Sequence, residues 1–148
     1  MMMAVLDQPA IHPRLLAHAE ERKWAVEESL RWSAATTSEP RMTLKDVIVS
    51  GVEIPAGEVV SLCPPIGNRD PSVFTDPDRW DLDRRPGEHV AFGLGPHLCL
   101  GAFLAREELA VALEVLLRRL PNLRLSRPAV ITGAMLRGPR SLWVQWDT

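Results

Sequence analysis

Little in this chain marks an export route, a membrane or a polymeric partner. Two cysteines, Cys63 and Cys99, in 148 residues exclude a disulfide framework and agree with a reducing, cytoplasmic setting. The apolar start of MMMAVLDQPA is too short for a signal peptide or a membrane span, so no membrane association is expected. A formal charge of −2, with fifteen arginines and two lysines that never gather into a block, excludes a nucleic-acid partner. Internal repeats and low-complexity segments are also missing. What remains is 46% hydrophobic and 24% charged, the balance of one globular domain over residues 1–148 with a modest core.

Periodicity divides the chain. Residues 14–32, RLLAHAEERKWAVEESLRW, read as a helix entered after Pro13, with Leu15, Ala19, Val26 and Leu30 as a broken apolar stripe. Between Val47 and Leu62 short β-like runs are parted by Ser50-Gly51 and Pro55-Ala56-Gly57, which predicts a small antiparallel sheet. Residues 63–98 follow no period and lie in the stretch from Pro55 to Pro96 that holds seven of the thirteen prolines. A connection beyond ~15 residues is usually functional or disordered. Ile66, Val73, Phe74, Trp80, Leu82 and Phe92 argue for an ordered loop wrapped against something. LGAFLAREELAVALEVLLRRL, residues 100–120, is the strongest helix and is apolar around most of its circumference, which predicts burial on several sides. Short strands follow, separated by Pro128 and by Gly138-Pro139.

Three groups of residues could carry chemistry. In FGLGPHLCLG, residues 92–101, Gly93, Gly95 and Gly101 surround Cys99 together with His97. Glycines admit positive φ and close approach, and a cysteine at a helix start is placed where a thiolate is favoured. A lone buried cysteine in a tight turn is the plainer alternative. Glu28 and Arg31 stand at i,i+3, a spacing that by itself describes a solvated surface pair. Asn68-Arg69-Asp70-Pro71 and Asp76-Pro77-Asp78-Arg79-Trp80 are, singly, turn motifs.

Taken in this order, the three resemble the cytochromes P450. FGLGPHLCLG fits that family's haem signature F-G-x-G-x-H-x-C-x-G at every fixed position, and Glu28 with Arg31 fits its E-x-x-R helix. NRDP and DPDRW look like family segments, with Trp80 where phenylalanine is usual, and LAREEL, residues 104–109, matches the helix after the cysteine. The resemblance runs over about residues 14–146.

It implies an α+β, partial P450 fold. That fold would comprise the E-x-x-R helix, a small antiparallel sheet, a meander and cysteine loop, a long buried helix after the cysteine, and a C-terminal β-hairpin. It implies haem b as cofactor and Cys99 as the thiolate ligand of its iron. Phe92, Gly93, Gly95 and Gly101 would shape the loop, while His97 and Arg41 would hold the propionates, a task suited to a forked guanidinium. Glu28, Arg31 and Arg79 would form a buried triad fixing the meander. The implied activity is oxygen-dependent hydroxylation of a small organic substrate, with electrons from a ferredoxin-type or reductase donor.

The family's chains are roughly two and a half times longer, and their acid–alcohol helix for proton delivery lies several dozen residues before the position of Glu28. No A/G-G-x-D/E-T pattern stands among the twenty-seven residues that precede Glu28, so a truncated domain is expected. Ala34-Ala35 stands where a proline is common, and only Thr36–Ser38 and Gly133–Met135 correspond to substrate-facing turns. Two readings therefore stand: a monooxygenase represented by its haem-ligating part, or a non-catalytic haem-binding remnant or half of a split P450 that needs a complementary fragment. Zinc held by His97 and Cys99 ranks last, because His89 and Cys63 are the only further ligands and have no zinc-site spacing.

Overall fold

In the computed structural model, which describes residues 1–148, the chain opens with helices α1 (Met2–Leu6), α2 (His12–Ala17) and α3 (Ala19–Trp32). The single helix expected over 14–32 is broken at His18, which is extended at φ −127° and ψ 115°. Arg22 stabilises the break by donating from Nη1 to the Leu15 carbonyl at 2.8 Å, an acceptor left over at the end of α2. The bend lets α2 bury Leu15 while α3 turns Ala25, Val26, Glu28, Ser29 and Arg31 inward.

The strands at 47–62 do not form one sheet. β2 (Val47–Val49) and β3 (Val52–Ile54) make a hairpin across Ser50-Gly51, both at positive φ, as the right-handed twist of a two-residue turn requires. β4 (Val59–Leu62) bypasses β3 and pairs antiparallel with β1 (Glu39–Met42), a strand with no alternation to reveal it. Gly57, at φ +86°, turns the chain back so that its N–H donates to the Thr43 carbonyl at 2.8 Å.

Residues 63–98 are ordered, containing only α4 (Pro64–Gly67) and short 3-10 turns at Leu82–Arg84 and Gly95–His97. α5 (Ala102–Arg119) packs on α2 and α3 and ends before Pro121. Val5, Leu15, Ala25, Trp80, Leu82, Leu113 and Leu117 form the core where the helices meet the loop. α5 does not have the many-sided burial its composition predicts. Ala102, Leu113 and Leu117 are buried, but Phe103 is 76% exposed, and Leu104, Val111 and Val115 are exposed too. α2 and α3 are the elements packed closely against it.

The C-terminal strands are nested. β5 (Arg124–Leu125) pairs with β8 (Val144–Gln145), and inside them β6 (Ile131–Thr132) pairs with β7 (Gly138–Pro139). Gly138-Pro139 is therefore a strand rather than a separator; a two-stranded ladder leaves an edge on which proline's missing N–H costs nothing. The Thr36–Ser38 and Gly133–Met135 turns meet: Thr37 N donates to the Met135 carbonyl at 2.9 Å and Arg137 N to the Ala35 carbonyl at 2.7 Å.

Gly133 sits at φ +101°, and a Cβ there would lie 1.9 Å from the Leu136 carbonyl oxygen. Gly133→Ala should destabilise by about 2 kcal/mol or more. Gly57→Ala, in open space at similar φ, should cost only about 1 kcal/mol. Urea denaturation measures both, and equal costs would refute the steric argument.

Candidate functional site

The site is built outward from one buried pair on α3. Arg31 and Glu28 are both fully buried, and the guanidinium grips the carboxylate as a fork, Nε to Oε2 at 2.7 Å and Nη2 to Oε1 at 2.8 Å. The surface-pair reading of this spacing is thereby corrected. The remaining donors reach the carbonyls of Asn68 at 2.9 Å, Pro77 at 2.8 Å and Arg79 at 3.2 Å, so all five guanidinium N–H groups have acceptors. The Phe74 ring centroid lies 5.2 Å from Arg31 Cζ.

The expected third member of the triad is displaced. Arg79 supplies only its carbonyl; its side chain is 68% exposed and pairs with Asp81 at 2.6 Å. Arg84 takes the place, with Nε 3.1 Å from Glu28 Oε1, and donates to the carbonyls of Thr75, Asp76 and Arg79. The reason is directional. Arg79 closes a turn, its N–H donating to the Asp76 carbonyl at 3.0 Å, and its side chain stays in solvent while Trp80 enters the core. The 3-10 turn at 82–84 then brings Arg84 back under Glu28. A second arginine five residues beyond Arg79 was the available signal.

The motif segments converge here. Trp80 donates its indole N–H to Ser29 Oγ at 3.0 Å, and Ser29 donates onward to the Ala25 carbonyl at 2.6 Å. A tryptophan in a phenylalanine position needs such a partner. Arg69 caps α3 at the Trp32 carbonyl (2.9 Å) and holds Asp78 at 2.8 Å. Asn68 Oδ1 accepts from Val90 N at 2.8 Å, which ties the start of the meander to the approach to the cysteine loop.

Within that loop the backbone bonds to itself. Gly93 and Gly95 stand at φ +73° and +69°, Cys99 N donates to the Phe92 carbonyl at 2.9 Å, and Ala102 N to the Cys99 carbonyl at 3.1 Å. Cys99 is exposed at the entry to α5 beside the fully exposed Leu100. A Cβ on Gly101 would lie 4.0 Å from its sulfur. His97 is exposed on the 3-10 turn, and Arg41 lies on β1, held by Glu39 at 3.0 Å and the Pro40 carbonyl at 2.9 Å. Any acid that Arg41 binds must compete with Glu39.

One glutamate back from Glu28, a second cluster escaped the sequence reading. Glu27 accepts from Arg106 (Nε to Oε1 2.6 Å, Nη2 to Oε2 3.1 Å) and meets His89 Nε2 at 3.1 Å. His89 Nδ1 accepts from Ala91 N at 3.3 Å, so its proton sits on Nε2 and neither nitrogen is free for a metal. Cys63, the other suggested zinc ligand, is exposed at the end of β4 with its thiol 3.9 Å from the Ser61 carbonyl.

The profile of the family described as Cytochrome P450 matches residues 14–126. Mycinamicin IV hydroxylase/epoxidase of Micromonospora griseorubida is 46% identical over 96% of this chain and 37% of its own length. Biflaviolin synthase of Streptomyces coelicolor is 43% identical over 99% of this chain and 37% of its own length. Among solved structures, P450BioI bound to an acyl-ligated acyl carrier protein superposes with a TM-score of 0.92 at 36% identity, covering 99% of this chain and 38% of that one. The chain belongs to the cytochrome P450 family, has its partial α+β fold, and spans about 37% of the length of these curated relatives.

Members of this family bind haem b. The donor set here fits that group. No three His, Cys, Asp or Glu residues stand close enough to hold a bare ion, whereas one exposed thiol in a glycine cradle suits an iron that brings four ligands of its own.

Two predictions test the network. Arg84→Ala should destabilise by about 3 kcal/mol, because it strips a partner from a buried carboxylate. Arg79→Ala should stay within about 0.5 kcal/mol, and urea titrations giving the reverse order would restore Arg79 to the triad.

The second concerns acid. Burial pushes the Glu27 carboxyl up, but the hydrogen bonds from His89 and Arg106 and the Arg106 charge outweigh it and hold the pKa at about 2, below the ordinary 4.5. A lowered folded value means that the contribution is complete above pH 4.5 and is lost as pH falls through 2. The stability gap between wild type and Glu27→Gln should therefore shrink over that interval. A gap independent of pH would contradict the assignment.

Proposed function

We propose that this chain is the cysteine-ligating platform of a haem-thiolate monooxygenase acting on a small organic substrate. The observation that carries the reading is Cys99: an exposed thiol at a helix entry, on a loop whose two glycines take positive φ. Haem b, when bound, supplies dioxygen activation, the overall reaction inserting one oxygen atom into a substrate C–H bond and reducing the other to water with two electrons and two protons. A ferredoxin-type or reductase donor would deliver the electrons. The chain's own part is to hold the thiolate, to present Arg41 and His97 to the two propionates, and to carry the adjoining turns at 36–38 and 133–135 towards the substrate. Relatives named as a hydroxylase/epoxidase and a steroid C26-monooxygenase support this reaction class. A cytoplasmic location is part of the proposal; no helix is long and apolar enough to cross a membrane.

A second reading, one half of a P450 completed by a covering fragment, is favoured by surface area. The chain exposes 9919 Å². A compact monomer of its mass exposes about 7,500 Å². The excess is larger than one side of a standard protein interface, about 800 Å². Exposed apolar side chains stand on the cysteine loop and the first turn of α5: Leu94, Leu98, Leu100, Phe103 and Leu104. A face without water exclusion diverts electrons to peroxide.

In haem-loaded protein, reduction under carbon monoxide should give the red-shifted band of a thiolate-ligated ferrous iron. Cys99→Ala should abolish that band and Cys63→Ala leave it intact, and the reverse would overturn the assignment. Product formed per electron separates the two readings. Coupled hydroxylation by this chain alone supports the first, and coupling only after a complementary fragment is added supports the second.

A further inference from the structure

We propose that Glu27, His89 and Arg106 form a positioning clamp for the Cys99 loop, distinct from the Glu28 network that holds the meander. The proposal deepens the haem-thiolate reading and rests on it for its final readout.

The geometry is specific to the loop's two flanks. On the entering side, His89 is 2% exposed and donates from Nε2 to Glu27 Oε2 at 3.1 Å, while its Nδ1 accepts from Ala91 N. On the leaving side, Arg106 lies one helical turn into α5, where it forks onto both oxygens of the same carboxylate and touches the Ala102 carbonyl at 3.3 Å. The guanidinium also lies over Phe92, 4.8 Å from Cζ to ring centroid. Phe92 is the residue whose carbonyl accepts the Cys99 N–H. One carboxylate on α3 thus sets the span between residues 89 and 106, and the loop between them has no other charged anchor. Adjacent residues of a helix point about 100° apart. Consecutive glutamates can therefore serve two different segments, Glu28 the meander and Glu27 the cysteine loop.

The clamp has the energetics of a positioning device. Glu27 and Arg106 keep 23% and 32% of their side chains exposed, so water screens the pair only in part. Its partners all lie within or beside one loop, so its loss shows as local opening of that loop.

Hydrogen exchange on the full chain without haem tests this directly. In Glu27→Gln the amides of Gly93, Leu98 and Cys99 should exchange about tenfold faster, with those of α3 unchanged. Arg106→Lys, which keeps the charge but loses the fork and the flat face over Phe92, should show the same pattern more weakly. Arg118→Gln, which breaks an exposed pair on the same helix, should change nothing. Loop amides that keep their wild-type rates, or acceleration spread evenly over the molecule, would overturn the clamp. The second readout is the ferrous carbon monoxide spectrum of haem-loaded protein, where both clamp variants should lose part of the thiolate band to the thiol form. An unchanged band would show that the clamp does not set the ligand. Failure of wild type itself to give the band would count against the haem reading, while the exchange rates would still judge the clamp.

Discussion

The meander that follows α4 depends on one guanidinium that has no solvent. Arg31 is desolvated completely, so each of its five N–H groups needs an acceptor. Glu28 satisfies two, and the rest come from the backbone of a segment without regular structure. An irregular loop has the complementary need, since its carbonyls lack ladder partners. Arg31 and Arg84 together gather the carbonyls of residues 68, 75, 76, 77 and 79, so two side chains stand in for the secondary structure the meander lacks. A lysine could not do this, because a single ammonium offers three donors and no planar fork.

From this anchor, order passes to the thiol in short steps. Asn68 gives its carbonyl to Arg31 and its side-chain oxygen to Val90, and Val90 in turn accepts from Gly93 N. Gly93 and Gly95 then let the chain fold back so that the Phe92 carbonyl receives Cys99 N–H. The reactive atom itself is left exposed, with apolar Leu100 and Phe103 beside it. Such a surface is stable only against a partner, whether a cofactor, a covering chain segment or both.

The residues that declare themselves in the sequence are those whose demands are local. Glycines at positive φ, a proline in a first helical turn, and the Ser50-Gly51 turn are each readable because the backbone constraint falls on the residue itself. The cysteine loop was legible as a motif for the same reason, whereas the E-x-x-R pair, whose spacing alone describes a surface pair, was legible only through the family resemblance. Non-local choices were not. Nothing in EPRM foretells that β4 will pair with β1 rather than β3, and nothing in the chain order foretells the nesting of β6 and β7 inside β5 and β8. Arg79 and Arg84 sit in equally plausible sequence contexts; only the inward turn of Trp80 and the 3-10 turn after it decide which reaches Glu28. α5 misleads in the other direction. Its composition asks for neighbours on several sides, and this chain supplies them on one.

The central claim is that the Glu28–Arg31 anchor holds the meander against which the separately clamped cysteine loop is seated, although neither residue belongs to that loop. The most direct measurement is a haem titration of Glu28→Gln, an isosteric change that removes the charge, followed by absorption alongside far-ultraviolet circular dichroism. The account predicts that helices α3 and α5 persist while haem affinity falls by about tenfold or more, since an unpaired Arg31 releases the meander. Wild-type affinity with the anchor's charge removed would contradict it.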